Sequence, residues 1–155
     1  MAERAMTSLR LLHGVNLDML GRRDPAHYGS LTLSELERRV AEHAERRGFT
    51  VLPFQTNFEG EMVEELHHIA VEGAGAVIIN PGAWTHYSYA LRDALEIVKV
   101  PVAEVHLSDL SGREEFRRHS VIADIVAVRV SGEGVEGYFK ACDALADMIG
   151  LGVKG

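Results

Sequence analysis

A single cysteine, Cys142, stands among the 155 residues, so no disulfide can form within the chain. Its helical spacing with Tyr138, Phe139, Leu145 and Ile149 makes it a small core or interface residue. No apolar run is long enough to span a bilayer. Residues 1–8 carry charge and lack the apolar segment of a secretory leader, so the expected compartment is the cytoplasm. Positive charge is in the minority, with 16 Lys and Arg against 23 Asp and Glu, giving a net charge of -7. That balance argues against a nucleic acid or an anionic membrane as partner, but not against a small anionic ligand met by a few local arginines. Lysine is scarce, present only as Lys99, Lys140 and Lys154. Neither G-x-G-x-x-G nor G-x-x-x-x-G-K-[ST] occurs, which argues against nucleotide binding, and there is no G-x-S-x-G elbow. The adjacent His67 and His68 face no Cys or carboxylate at ligand spacing, so no metal site is expected. Internal repeats and low-complexity segments are also missing.

What is present fits one soluble domain over residues 1–155, with loose tails expected at 1–7 and 151–155. The apolar fraction is 46% and the charged fraction 25%, both ordinary for a globular protein. A chain of this size buries about 69% of its unfolded surface, enough for a core without staples. Short apolar runs at 8–13, 49–56, 76–80, 100–106 and 124–130 alternate with helix-length amphipathic segments. The first helix is expected from Thr32, with Glu35 at capping-box spacing and Leu33, Leu36, Val40 and Ala44 inward, stopping at Gly48. Others are expected over about 61–71, 88–98 and 135–149. This alternation predicts an α/β fold, a flavodoxin-like five-stranded parallel sheet with helices on both faces. The connection from Gly14 to Leu31 is long for a strand-to-helix loop, which suggests a lid or binding loop.

In such a sheet ligands bind beyond the carboxyl ends of the strands. Those ends carry Asn16 and the Arg22–Arg23–Asp24–Pro25 stretch with Tyr28, then Gln55, Asn57 and Glu59, then Asn80, Gly82, Thr85 and His86, then Glu104, His106, Arg113 and Arg117. Singly, each has a plain explanation. Tyr28 reads as a packing aromatic, Arg22 and Arg23 as a solvated pair, and Asn80-Pro81-Gly82 as a turn. His106 is harder to dismiss, because it ends an apolar run where the ligand crevice opens.

Together the loops resemble one family, the type II 3-dehydroquinate dehydratases. NLDMLGRRDPAHYG (16–29) is similar to its N-L-x-x-L-G-x-R-x-P-x-x-Y-G signature, and QTNFEG (55–60) to its Q-[ST]-N-x-E-G block. INPGAWTHYSYALRDAL (79–95), EVHLSDLSGREEFRRHS (104–120) and VEGYFKACDAL (135–145) match later blocks in order and spacing. The likeness runs from about Leu9 to Ile149. Departures fall at His13 and Val15, where the family reads Asn-Gly-Pro-Asn-Leu, at Asp109, usually Asn, and at Val121, usually aromatic. None replaces a catalytic group.

The resemblance implies dehydration of 3-dehydroquinate to 3-dehydroshikimate by anti elimination through an enolate, with neither cofactor nor metal. Tyr28 would be the base, Arg23 its activator, Asn16 the holder of a water against the enolate, His106 the acid and Glu104 its orienter. Asn80, Gly82, His86 and Asp93 would bind substrate hydroxyls, and Leu107, Ser108 and Arg117 its carboxylate. A sister class works through a lysine Schiff base, but no lysine lies in a matched block. The family also implies a homododecamer, a tetramer of trimers, serving either aromatic amino acid biosynthesis in the shikimate pathway or quinate catabolism. The other reading is a non-catalytic flavodoxin-like module that binds a small carboxylate or serves assembly.

Overall fold

In a computed structural model, residues 5–22 and 30–152 are described. Strands β1 (Thr7–His13), β2 (Phe49–Gln55), β3 (Ala76–Asn80), β4 (Val102–His106) and β5 (Val128–Ser131) form one sheet in the order β2-β1-β3-β4-β5, every pair parallel. This is the doubly wound order expected from the alternation. The central strands β3 and β4 are buried along their whole length, as strands covered on both faces must be. Edge strand β2 leaves Thr50, Leu52 and Pro53 exposed, and a proline is tolerated there because an edge strand leaves N–H groups unpaired.

Helices α1 (Leu33–Arg46) and α5 (Val135–Met148) cover one face, where Leu36, Val40, Ala44, Tyr138 and Cys142 pack on Leu9, Leu11 and Ile78. Helices α2 (Glu59–Glu72) and α3 (Tyr89–Ile97) cover the other, with Met62, Leu66, Ile69, Leu91 and Leu95 on Leu12, Val77 and Ile79. Thr32 caps α1 by accepting from the Glu35 N–H, and Ser88 caps α3 by accepting from Leu91. Among the described residues no helix is long and apolar enough to cross a membrane.

The fifth strand is shorter than its apolar run. Residues 121–125 coil into turns, with the Ile122 carbonyl accepting from Ile125 and Val126, and pairing with β4 begins only at the Ala127 N–H. β4 starts at Val102 because Pro101 has no N–H to offer. Thr7 already belongs to β1, and Leu151 is tied down through its N–H to Ala146 and its carbonyl to Arg47. Two 3-10 turns, Leu17–Met19 and Gly82–His86, and a one-turn helix α4 (Glu115–Arg118) carry no periodic pattern long enough to be read from sequence.

Candidate active site

The carboxyl ends of β1, β3 and β4 meet at a cavity of about 180 Å³. That is below the roughly 300–1,000 Å³ of drug-sized sites, and suits a single small molecule. β1 leads into Gly14, where a Cβ would lie 2.3 Å from the Pro81 carbonyl oxygen. Glycine there lets the loops after β1 and β3 lie against each other. Gly82 has φ +63°, and its Cβ would crowd the Val15 carbonyl at 2.7 Å. Asn16 also takes a left-handed φ of 69°, and its N–H donates to Asn57 Oδ1 at 2.8 Å. Gln55 donates to the Gly14 carbonyl, and Asn57 also donates to Asp18, so the loop after β2 braces the loop bearing Asn16.

Asn80 ends β3 with its side chain anchored at both ends by the fold. Its Oδ1 accepts from the Gly82 N–H at 3.0 Å and its Nδ2 donates to the buried Tyr138 hydroxyl at 3.2 Å. His86 donates from Nδ1 to the His119 carbonyl at 2.7 Å, and Phe116 stands edge-on to its ring. Burial lowers its proton affinity below the ordinary histidine value, outweighing the carbonyl that favours the charged form. The neutral ring, with Nδ1–H committed, keeps Nε2 as an acceptor.

His106 and Glu104 share one face of β4, two residues apart, which the period-two alternation of a strand requires. Glu104 is 0% exposed and His106 5%. Glu104 Oε2 accepts from His106 Nε2 at 2.6 Å and from the Thr85 hydroxyl at 2.5 Å, while Oε1 accepts from Ser120 at 2.8 Å and from Arg129 Nε at 3.2 Å. Burial pushes this carboxyl toward its neutral form. The hydrogen bond and charge of His106, with the hydroxyls of Thr85 and Ser120, outweigh burial and hold it below the usual glutamate value. With Nε2 so committed, the other ring nitrogen of His106 is left for the cavity that His106 lines.

Leu107, Ser108, Arg113 and Arg117 complete the wall. Arg117 Nε lies 2.9 Å from Glu114, out of line for a hydrogen bond, and the guanidinium sits over Phe116. Asn16, Asn80, Gly82, His86, His106, Leu107, Ser108 and Arg117 thus meet at one cavity, with Glu104 directly behind His106. Asp93 does not join them, being exposed on α3 away from the cavity lining. Arg23 and Tyr28 lie outside the described residues. Sequence reasoning left Thr85, Ser120 and Arg129 unassigned. Only the register pairing of Arg129 with Glu104 across β4 and β5 brings the latter pair together, which no local motif signals. Of the departures, Val15 lines the cavity, Asp109 is exposed and accepts from Ser111, and His13 is fully buried, with Glu37 at 3.8 Å. Among the described residues no group of three or more His, Cys, Asp or Glu is placed to hold a metal ion.

A doubly wound parallel sheet with a carboxylate-held imidazole and arginines at its carboxyl edge defines a small-molecule site of the open α/β type. The model of the Dehydroquinase class II family matches residues 7–146, and the chain belongs to that family. It is 50% identical over 144 residues to the 3-dehydroquinate dehydratase of Syntrophotalea carbinolica, covering 93% of this chain and 97% of the relative. It is also 50% identical over 147 residues to that of Pelobacter propionicus, covering 95% and 99%. The crystal structure of type II dehydroquinase from Propionibacterium acnes is 39% identical and superposes with a TM-score of 0.88 over 94% of this chain and 99% of that one.

Proposed function

We propose that the chain is a hydro-lyase converting 3-dehydroquinate to 3-dehydroshikimate by anti elimination through an enolate, without a Schiff base. The observation that carries this reading is the buried Glu104–His106 pair opening on a cavity also lined by Asn80, His86 and Arg117. Family membership and the two 3-dehydroquinate dehydratases with which the chain shares half its residues support the substrate.

Tyr28 takes the proton from the carbon beside the ketone. At pH 7 only about 0.1% of an ordinary tyrosine is ionised, and lowering its pKa by about 2 units is worth roughly 2.7 kcal/mol. That is the task of Arg23, whose charge favours the phenolate. This half of the mechanism rests on the sequence motif. The C–H electrons pass to the ketone oxygen, where a water held by Asn16 stabilises the enolate. As the enolate collapses, the C–O bond breaks and His106 gives its proton to the departing hydroxyl, releasing water. Glu104 orients the imidazole throughout. Asn80, Gly82 and His86 meet substrate hydroxyls. The backbone of Leu107 and Ser108 meets the carboxylate with Arg117, whose planar fork matches that group.

Asp93 is exposed on α3 and does not line this chain's cavity, so in this reading it meets substrate from a neighbouring copy. The exposed Phe58, Tyr87, Tyr89 and Ile97 support self-association, which the family reading takes as a homododecamer of four trimers. A cytoplasmic role in the shikimate pathway or in quinate breakdown follows from the same reading. Incubating the purified protein with 3-dehydroquinate is expected to raise ultraviolet absorbance as the conjugated product forms, and borohydride is expected to trap no substrate adduct. A flat trace at high protein concentration would instead support a binding module, and a trapped adduct would remove the imine-free mechanism.

A further inference from the structure

Glu104 keeps its charge in a fully buried position, and its partners are unequal. Thr85 and Ser120 each have one hydroxyl proton, and the two oxygens stand 3.0 Å apart. If both protons point at Glu104, none is left for the contact between them. Neither hydroxyl brings charge. His106 brings charge only until its proton leaves. Among the described residues, Arg129 is the remaining cation on this carboxylate, 3.2 Å away on the neighbouring strand, at the register position opposite Glu104. Arginine does not lose its proton in proteins.

We propose that Arg129 is a positioning residue for the acid. Its guanidinium holds Glu104 ionised and oriented through the step in which His106 passes its proton to the departing hydroxyl. The inference rests on the reading of His106 as that acid. In the step, the proton bound to the cavity-side ring nitrogen transfers to the hydroxyl oxygen, and the C–O electrons leave with it. The Nε2–H stays in its hydrogen bond to Glu104. An anionic acceptor is therefore needed on both sides of the step, and after it, among the described residues, the only full positive charge still in contact with Glu104 is on Arg129.

The charge also acts on the pair's titration. Other charged or titratable groups around the pair are His86 on the 3-10 turn and Arg117 on α4, while Arg92 on α3 is turned to Asp124 and Glu96. A cation beside a coupled carboxylate–imidazole pair lowers both of its apparent pKa values. Removing Arg129 therefore moves the alkaline limb of the pH–rate profile, the one set by the acid His106, to higher pH. Arg129 is 35% exposed on an edge strand and does not line the cavity, so substitution is expected to leave the fold and substrate binding in place.

The test is the pH dependence of dehydration by the wild type, Arg129→Gln and Arg129→Lys, alongside NMR titration of the His106 imidazole in the full-length protein. For Arg129→Gln, the alkaline limb is expected to move up by about half a pH unit or more, with kcat down about 10-fold and KM changed less than about two-fold. The imidazole titration is expected to move the same way, and Arg129→Lys, which keeps the charge, to return both most of the way to wild type. An unmoved alkaline limb in Arg129→Gln, or a thermal midpoint that falls while the profile stays put, would overturn the inference and leave the acid assignment standing. A wild type that does not dehydrate the substrate would remove both.

Discussion

At the scale of single residues, the Glu104 carboxylate meets no solvent, yet its folded-state pKa lies below the ordinary value of 4.5, since His106 and two hydroxyls outweigh the burial. A depressed carboxylate contributes stability that is fully present above the unfolded value and lost as pH falls through the folded one. Wild-type stability, read from urea midpoints, is therefore expected to decline below about pH 4.5. Glu104→Gln removes that titration, so its midpoints should fall less steeply over the same window. The same variant should lose turnover on the order of 10²–10⁴-fold, because an amide no longer fixes the imidazole as the anion does. A Glu104→Gln enzyme with unchanged kcat would separate Glu104 from the acid.

At the scale of elements, the site depends on two loops in backbone contact and on a strand end that places two side chains on one face. Gly14→Ala would drive a Cβ into the Pro81 carbonyl. The expected cost is about 1–3 kcal/mol in stability. A fall of about 10-fold or more in kcat/KM should accompany it, since Asn16 and Asn80 are pushed apart and small misplacements are costly. Differential scanning calorimetry and steady-state kinetics check the two parts. Arg47 joins α1 to α5 by donating to Asp143, Asp147 and the Leu151 carbonyl, far from the cavity lining. Arg47→Ala should lower stability by about 1–2 kcal/mol, with thermal midpoint down roughly 2–4 °C per kcal/mol and kcat unchanged. Helices α1 and α3 were legible because capping residues and apolar spacing coincide at Thr32 and Ser88. The start of β5 was not, because Ile125, Val126 and Ala127 continue its apolar run, and only the hydrogen bonds onto Ile122 reveal a turn.

At the scale of the whole molecule, the strand order followed from the alternation of elements, since parallel strands with helical crossovers have few ways to bury both sheet faces. The cavity residues were legible because ligands gather at strand carboxyl ends, and because several motif blocks agreed. Asp93 and Arg129 mark the limit of that legibility: one lies outside the cavity lining of its own chain, and the other meets Glu104 through sheet register. Cys142 reports on the integrity of the whole, since burial pushes its thiol pKa up to about 12. A thiol reagent should leave the native protein unlabelled and modify Cys142 only on unfolding; rapid labelling of active protein would contradict the packing of α5. The most direct measurement is the rate of 3-dehydroquinate dehydration by the wild type, Tyr28→Phe and His106→Asn, each first shown by circular dichroism to be folded. Turnover by the wild type, with losses on the order of 10²–10⁴-fold in each variant, is the expected result. Near-native turnover in either variant would contradict its assignment as base or acid, and an inert wild type would contradict the function itself.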